Sequence, residues 1–151
     1  DGNPVKSQWY KEPPWLASAV VPGHEHFMEY YAHAMAVFDP SLITIGGFTV
    51  GTVGHETQVE QFARVFRLLP QGKWEQIPGL GDQVVGRTLK MNEKHYLYLV
   101  NRSATEARVA ISLALAPGTM KALGSSPVLT SAGQGREVAL RPYQLAAWVS
   151  E

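Results

Sequence analysis

The 151 residues include 13 Lys+Arg against 13 Asp+Glu, are 45% hydrophobic and 17% charged, and contain no cysteine. This composition buries a core, so disorder, a collagen helix and a disulfide framework are excluded, as are thiol catalysis and Cys-ligated zinc. Zero net charge and a pI near 7.2 leave no electrostatic footprint for nucleic acid or anionic lipid, and the broken apolar runs are too short to cross a membrane.

The chain reads as soluble. Its charged start lacks the apolar core of a signal peptide, and missing cysteine does not fix a compartment, so secretion or the periplasm stays open for the full-length protein. Charge is uneven: residues 1–72 hold four Lys/Arg against seven Asp/Glu, and residues 73–151 hold nine against six.

The segment Gln8-Trp9-Tyr10-Lys11-Glu12-Pro13-Pro14-Trp15 is dense in aromatics and hydrogen-bonding groups. That mixture suits stacking on a sugar's apolar face while polar groups hold its hydroxyls, and it equally suits a loop pinned to a rim. From His24 to Asp39, Phe27, Tyr31, Ala34, Met35 and Phe38 recur at helical spacing. Leu42-Ile43-Thr44-Ile45, closed by Gly46-Gly47, reads as a short strand covered on both faces. From Glu56 to Leu69, Val59, Phe62, Ala63, Phe66 and Leu69 predict a second amphipathic helix.

After Pro70-Gln71-Gly72 the apolar period becomes two. Strands are predicted at 95–101, at 107–115 with Val109, Ile111 and Leu113 on one face, and at 143–149. Weaker candidates at 83–90, 127–130 and 136–140 complete an antiparallel sandwich. Tyr96, Tyr98, Tyr143 and Trp148 read as packing residues, and Asn101-Arg102-Ser103 is a strand-closing turn that also spells a glycosylation sequon.

A strand as apolar as 42–45 needs partners, and residues 1–72 offer only Trp15–Val21. Either the β half supplies a neighbour or the chain is the tail of a longer protein, the reading favoured here. Gly23-His24-Glu25 and Gly54-His55-Glu56 lie about one βα unit apart, which places both loops at the carboxyl ends of strands, where barrel enzymes keep their sites.

Gly46-Gly47-Phe48, the Gly54-His55-Glu56 loop into a helix, Phe66-Arg67-Leu68-Leu69-Pro70, Tyr96-Leu97-Tyr98-Leu99-Val100-Asn101 and Arg141-Pro142-Tyr143-Gln144-Leu145 together resemble the carboxyl-terminal end of a TIM-barrel glycoside hydrolase. The resemblance implies an α/β segment ending a (β/α)8 barrel over residues 1–72, then an all-β antiparallel sandwich domain over 73–151. It also implies a carbohydrate substrate and a partner in the remainder of the barrel. An aromatic after the last barrel strand, usually Trp, floors the sugar subsite in such relatives, and Phe48 stands in that place here. No Glu is assigned as nucleophile, because the strand that carries it in those relatives can precede Asp1.

Glycoside hydrolysis needs two carboxyls, roughly 5–5.5 Å apart for retention and 6.5–9.5 Å for inversion. The candidates on the expected face are Asp1, Glu12, Glu25 and Glu56, with His55 as an orienting donor or proton carrier. Glu25 and Glu56 also stand where a carboxylate favours a helix N-terminus. Trp9, Tyr10, Trp15, Phe48 and His55 are the candidate sugar-binding residues.

No metal or cofactor is expected. His24, Glu25 and His26 diverge on a helix and lack His-Glu-x-x-His spacing, residues 46–54 match neither a dinucleotide loop nor a P-loop, and no G-x-S-x-G elbow occurs. The alternative is a non-catalytic α+β module that binds a carbohydrate or protein. Its mark would be antiparallel pairing of residues 42–45 inside the chain, where the barrel calls for a parallel neighbour.

Overall fold

A computed structural model describes residues 16–17, 27–43 and 54–150. Strand β1 (Leu16–Ala17) pairs in parallel with β2 (Leu42–Ile43), Leu16 opposite Leu42 and Ala17 opposite Ile43. Helix α1 (Glu29–Phe38) is the crossover between them, and α2 (Glu56–Phe66) follows β2. The neighbour that the apolar run requires therefore comes from the Trp15–Val21 segment, with the parallel sense of a βαβ unit.

Three alanines, the strongest helix formers, and an acidic first-turn Glu29 favour α1. The chain forms a turn at Phe27 and Met28, so the helix itself begins later than the apolar spacing from His24 suggests. It stops at Asp39, whose φ of 46° is left-handed, and Pro40 cannot continue it. In α2, Phe62 and Val65 are buried, and the chain leaves through Leu68 and Leu69 amides bonded to Val65 and Phe66 carbonyls before Pro70.

The remaining strands are β3 (Glu75–Gln76), β4 (Val84–Met91), β5 (Lys94–Asn101), β6 (Ala107–Ser112), β7 (Met120–Ala122), β8 (Thr130–Ala132), β9 (Gly135–Leu140) and β10 (Leu145–Ser150). They form two antiparallel sheets, β3-β4-β5-β10-β7 and β6-β9-β8. Leu97, Leu99, Ala146 and Trp148 of the larger sheet meet Val109, Ile111, Val138 and Leu140 of the smaller one to form the inner core of a β-sandwich.

The larger sheet is covered on its other face as well. Tyr98, Val100, Leu145 and Ala147 point away from the sandwich core and pack with Ala32 and Met35 of α1 and Phe62 and Val65 of α2. This double burial explains why 97–100 is an unbroken apolar run, the pattern of a strand with no solvent face. The helices thus find a hydrophobic floor in the β half, although the paired strands β1 and β2 do not join its sheets.

Two expectations change. Leu113 does not share the buried face of Val109 and Ile111: β6 ends at Ser112, the chain turns there, and Leu113 is 49% exposed. The predicted 127–130 strand is instead β8, shifted to 130–132, because Trp148 Nε1 and Ala147 N–H bond with Pro127 O and Ser126 Oγ and hold that stretch as a loop against β10.

Asn101-Arg102-Ser103 closes β5 as the turn the sequence suggests. Asn101 is fully buried, and its Nδ2 donates to Thr105 O (2.7 Å), Arg141 O (3.0 Å) and Leu140 O (3.4 Å). Its Oδ1 accepts from the Ser103 amide and hydroxyl, each at 3.0 Å. The atom that would carry a glycan is committed to the turn.

Candidate functional site

With β1 and β2 parallel, both helices start from the carboxyl ends of strands, and the structure brings those starts together. The Phe27 ring, just ahead of α1, stacks on the His55 imidazole with centroids 5.2 Å apart and planes 9° from parallel. One turn further on, Tyr31 packs against Phe62 at 5.5 Å. The two helix starts thus meet through Phe27 and His55, while Gly23-His24-Glu25 lies outside the described residues.

His55 occupies the N-cap position of α2 and is half-buried. Its carbonyl accepts the Val59 amide at 3.0 Å, while its side chain makes no capping bond. Glu56 is exposed, and its Oε2 accepts the Gly54 amide at 2.9 Å. Gly54 has a φ of 87°, a backbone state that a side chain would strain, so the glycine allows the loop to fold back onto the carboxylate. A negative side chain in the first turn also complements the helix dipole. Tyr30 and Tyr31 stand beside this end, and burial raises both phenol pKa values; at Tyr30 the neighbouring Tyr31 adds to the rise.

Next to His55 a cleft of 330 Å³ runs between α2 and the sandwich, with Gln58, Gln61, Ser125, Arg141 and Tyr143 among its walls. Arg141 Nη2 donates to Gln61 Oε1 at 2.7 Å, and Ser125 Oγ donates to Gln61 O at 2.9 Å, tying the sandwich to the helix. Tyr143 sits at the third position of the Arg141–Gln144 turn with a φ of 55°, a place glycine usually takes. Its ring is buried between helices and sheet, and that burial holds the strained backbone in place. A second cavity, of 470 Å³, lies at the opposite ends of the helices, bounded by Asp39, Ile43, Phe66, Leu69 and Trp74.

At that end the structure contains a cluster that no sequence motif announces. Arg87 of β4, 7% exposed, donates through Nη1 to Met35 O (2.7 Å) and Tyr98 Oη (2.6 Å) and through Nη2 to Ala36 O (2.9 Å). Tyr98 in turn donates to Asp39 Oδ1 at 2.6 Å, and Trp74 packs edge-on against its ring at 4.9 Å. Burial and the Asp39 carboxylate push the Tyr98 phenol far above its ordinary value of 10.0, against a smaller opposing pull from Arg87.

Of the residues singled out by sequence, His55 and Glu56 are described and are adjacent. Trp9, Tyr10, Glu12, Trp15, Glu25 and Phe48 lie outside the described residues, as far as their side chains are concerned. Among the described residues no group of three or more His, Asp and Glu side chains is arranged to hold a metal, and no helix is long and apolar enough to cross a membrane.

No protein-family model and no curated protein matches the sequence significantly. Solved structures do match. AmyP in complex with maltotriose superposes over 84% of this chain and 35% of its own, at a TM-score of 0.58 and 14% identity. The alpha-amylase of Geobacillus thermoleovorans complexed with acarbose covers 83% and 33%, with a TM-score of 0.59 and 9% identity. AmyP with maltose covers 83% and 34%, at 0.57 and 13%.

The chain shares its fold with a part of these alpha-amylase-type structures. It spans about a third of the length of those amylase-type chains and corresponds to their carboxyl-terminal part.

Proposed function

We propose that this chain is the carboxyl-terminal part of a glycoside hydrolase acting on maltose-type oligosaccharides. Residues 1–72 supply the last βα units of a (β/α)8 barrel and one wall of the sugar cleft, and residues 73–151 supply the sandwich that buttresses them. The observation that carries this reading is the β1-α1-β2-α2 order with a parallel pair, its helices seated on a following antiparallel sandwich. The solved structures matched over this span are complexes with maltotriose, maltose and acarbose.

In this reading the sugar meets the chain at the start of the helices. His55, steadied against Phe27, orients a hydroxyl or carries a proton, while Phe48, Trp9, Tyr10 and Trp15 offer apolar faces to pyranose rings. Glu12, Glu25 and Glu56 are the candidate carboxylates of this chain for the reacting centre. Glu56, bonded to the Gly54 amide, orders the loop that presents His55. The rest of the barrel supplies what the cleft lacks, and the chain alone is inactive.

The test is reducing-sugar release from maltotriose by the complete gene product and by the chain alone. Hydrolysis by the former only, with a raised KM in Phe48→Ala and His55→Ala, is the expected result. A complete product that leaves maltotriose uncleaved refutes the reading. One observation favours a second reading, the self-contained binding module: the helices already have their apolar floor within this chain. Stoichiometric maltotriose binding by the isolated chain, with no hydrolysis by any form, would establish it.

A further inference from the structure

The face that α1 lays on the larger sheet combines small and large side chains. Ala32 and Ala36 are buried there with Met35, and the two alanine methyl groups allow close approach. Hydrogen bonds add direction to that packing, and Arg87 makes them. Its guanidinium fork reaches two successive carbonyls at the carboxyl end of α1, which have no partner within the helix, and it carries positive charge to the negative end of the helix dipole. Through Tyr98 the same group holds Asp39, the left-handed residue at which the helix stops.

We propose that Arg87 is a positioning residue: from within the sandwich it sets the axial register of α1 and, through it, the placement of both β2 and the Phe27–His55 pair. Two features carry the effect outward. Only Pro40 and Ser41 separate Asp39 from β2, and proline's fixed φ leaves that connection little slack. The ten-residue helix is a rod of about 15 Å, so a displacement at its Arg87 end appears at the Phe27 end, where Phe27 meets His55. The β half thereby controls alignment at the face where the proposed function puts the sugar; the inference rests on that reading only in calling this face a sugar site.

Lysine cannot replace the fork, because a point charge on a flexible stem does not bridge two carbonyls and a phenol in one plane. Methionine removes the charge and leaves the Met35 and Ala36 carbonyls without their donor, so it costs stability as well. Arg87→Lys keeps the charge and loses the fork, so the pattern of change along the chain, and not the total stability, separates register from a general loosening. In both variants of the full chain we expect the His55 ring NMR signals to shift, since stacking on Phe27 fixes their environment. Amide exchange in residues 36–43 should accelerate at least tenfold, with 94–101 and 145–150 unchanged.

Unmoved His55 signals, or exchange raised equally throughout the chain, would mean that Arg87 only stabilises the fold, and would overturn the proposal. Should one variant fail to fold, the other decides, and Tyr98→Phe, which removes the link to Asp39 while leaving both carbonyl bonds, should accelerate exchange at 39–43 more than at 36–38. The sugar reading is tested separately by maltotriose hydrolysis, so either inference can fail without concealing the fate of the other.

Discussion

Asn101 gives the sharpest test of how the sandwich is closed. It ends β5 with no exposed surface, and one amide ties that strand to the 102–105 turn and to the chain leaving β9. Asn101→Ala removes four good hydrogen bonds and one long one. At about 1 kcal/mol net for each good bond, with water able to replace those on the partly exposed side of the turn, the loss is about 2–4 kcal/mol. That is a large share of the ~5–15 kcal/mol that holds a typical domain together. Urea unfolding followed by tryptophan emission, to which the fully buried Trp148 contributes, should show a lower midpoint with an unchanged slope. Asn101→Asp keeps the shape but turns an oxygen toward three carbonyl oxygens, so its carboxyl is held protonated in the folded state. Its stability is then highest below the ordinary aspartate pKa and falls as pH rises above it. An alanine variant within about 0.5 kcal/mol of wild type, the size of an ordinary surface change, or an aspartate variant equally stable at pH 4 and pH 7, would refute the reasoning.

Other expectations follow from the same geometry. Leu145→Asp buries an unpaired charge at a 2% exposed position between sheet and helices and should cost more than about 4 kcal/mol, whereas Leu113→Asp, on an exposed turn, should stay within about 0.5 kcal/mol; thermal melts compare the two. The raised Tyr98 pKa means its stabilising contribution is complete below pH 10.0, the unfolded value, and declines above it by up to about 1.4 kcal/mol per pH unit; Tyr98→Phe should flatten that alkaline loss in urea titrations. At Gly124, φ is 58° and an added Cβ would lie 3.1–3.2 Å from the Arg64 carbonyl and the Val65 nitrogen, so Gly124→Ala should cost about 2 kcal/mol and speed amide exchange in α2.

Periodicity made the helices and the long strands legible. Phe62 and Met35 mark true apolar faces, and β4, β5, β9 and β10 lie within a residue or two of their predicted places. Short elements escaped: β3 and β7 have two and three residues, too few for any period, and exist because a long neighbour offers an edge. Leu113 misled because alternation continues in the letters after the backbone has turned. The Trp15–Val21 segment was recognised as a possible partner for 42–45 on apolarity, but only the fold gives the pairing its direction. His55 was legible as a loop residue between a strand and a helix, while its Phe27 contact was not, since the two lie far apart in sequence. Arg87 carried no signal at all: in a strand of mixed residues it reads as solvent-facing, and its partners are 51 and 52 residues earlier.

Strand β10 is the latest of the described elements in the sequence and yet sits inside the larger sheet, bonded to β5 on one side and β7 on the other, with α2 across its face. During synthesis α1 and α2 leave the ribosome before the sheet on which they pack. Their seat is incomplete until residues 145–150 emerge and fill the gap between β5 and β7. A ribosome stalled short of residue 145 would therefore hold a chain with nearly all its elements made and almost none of them protected, a substrate for chaperones and proteases rather than a partly finished sandwich.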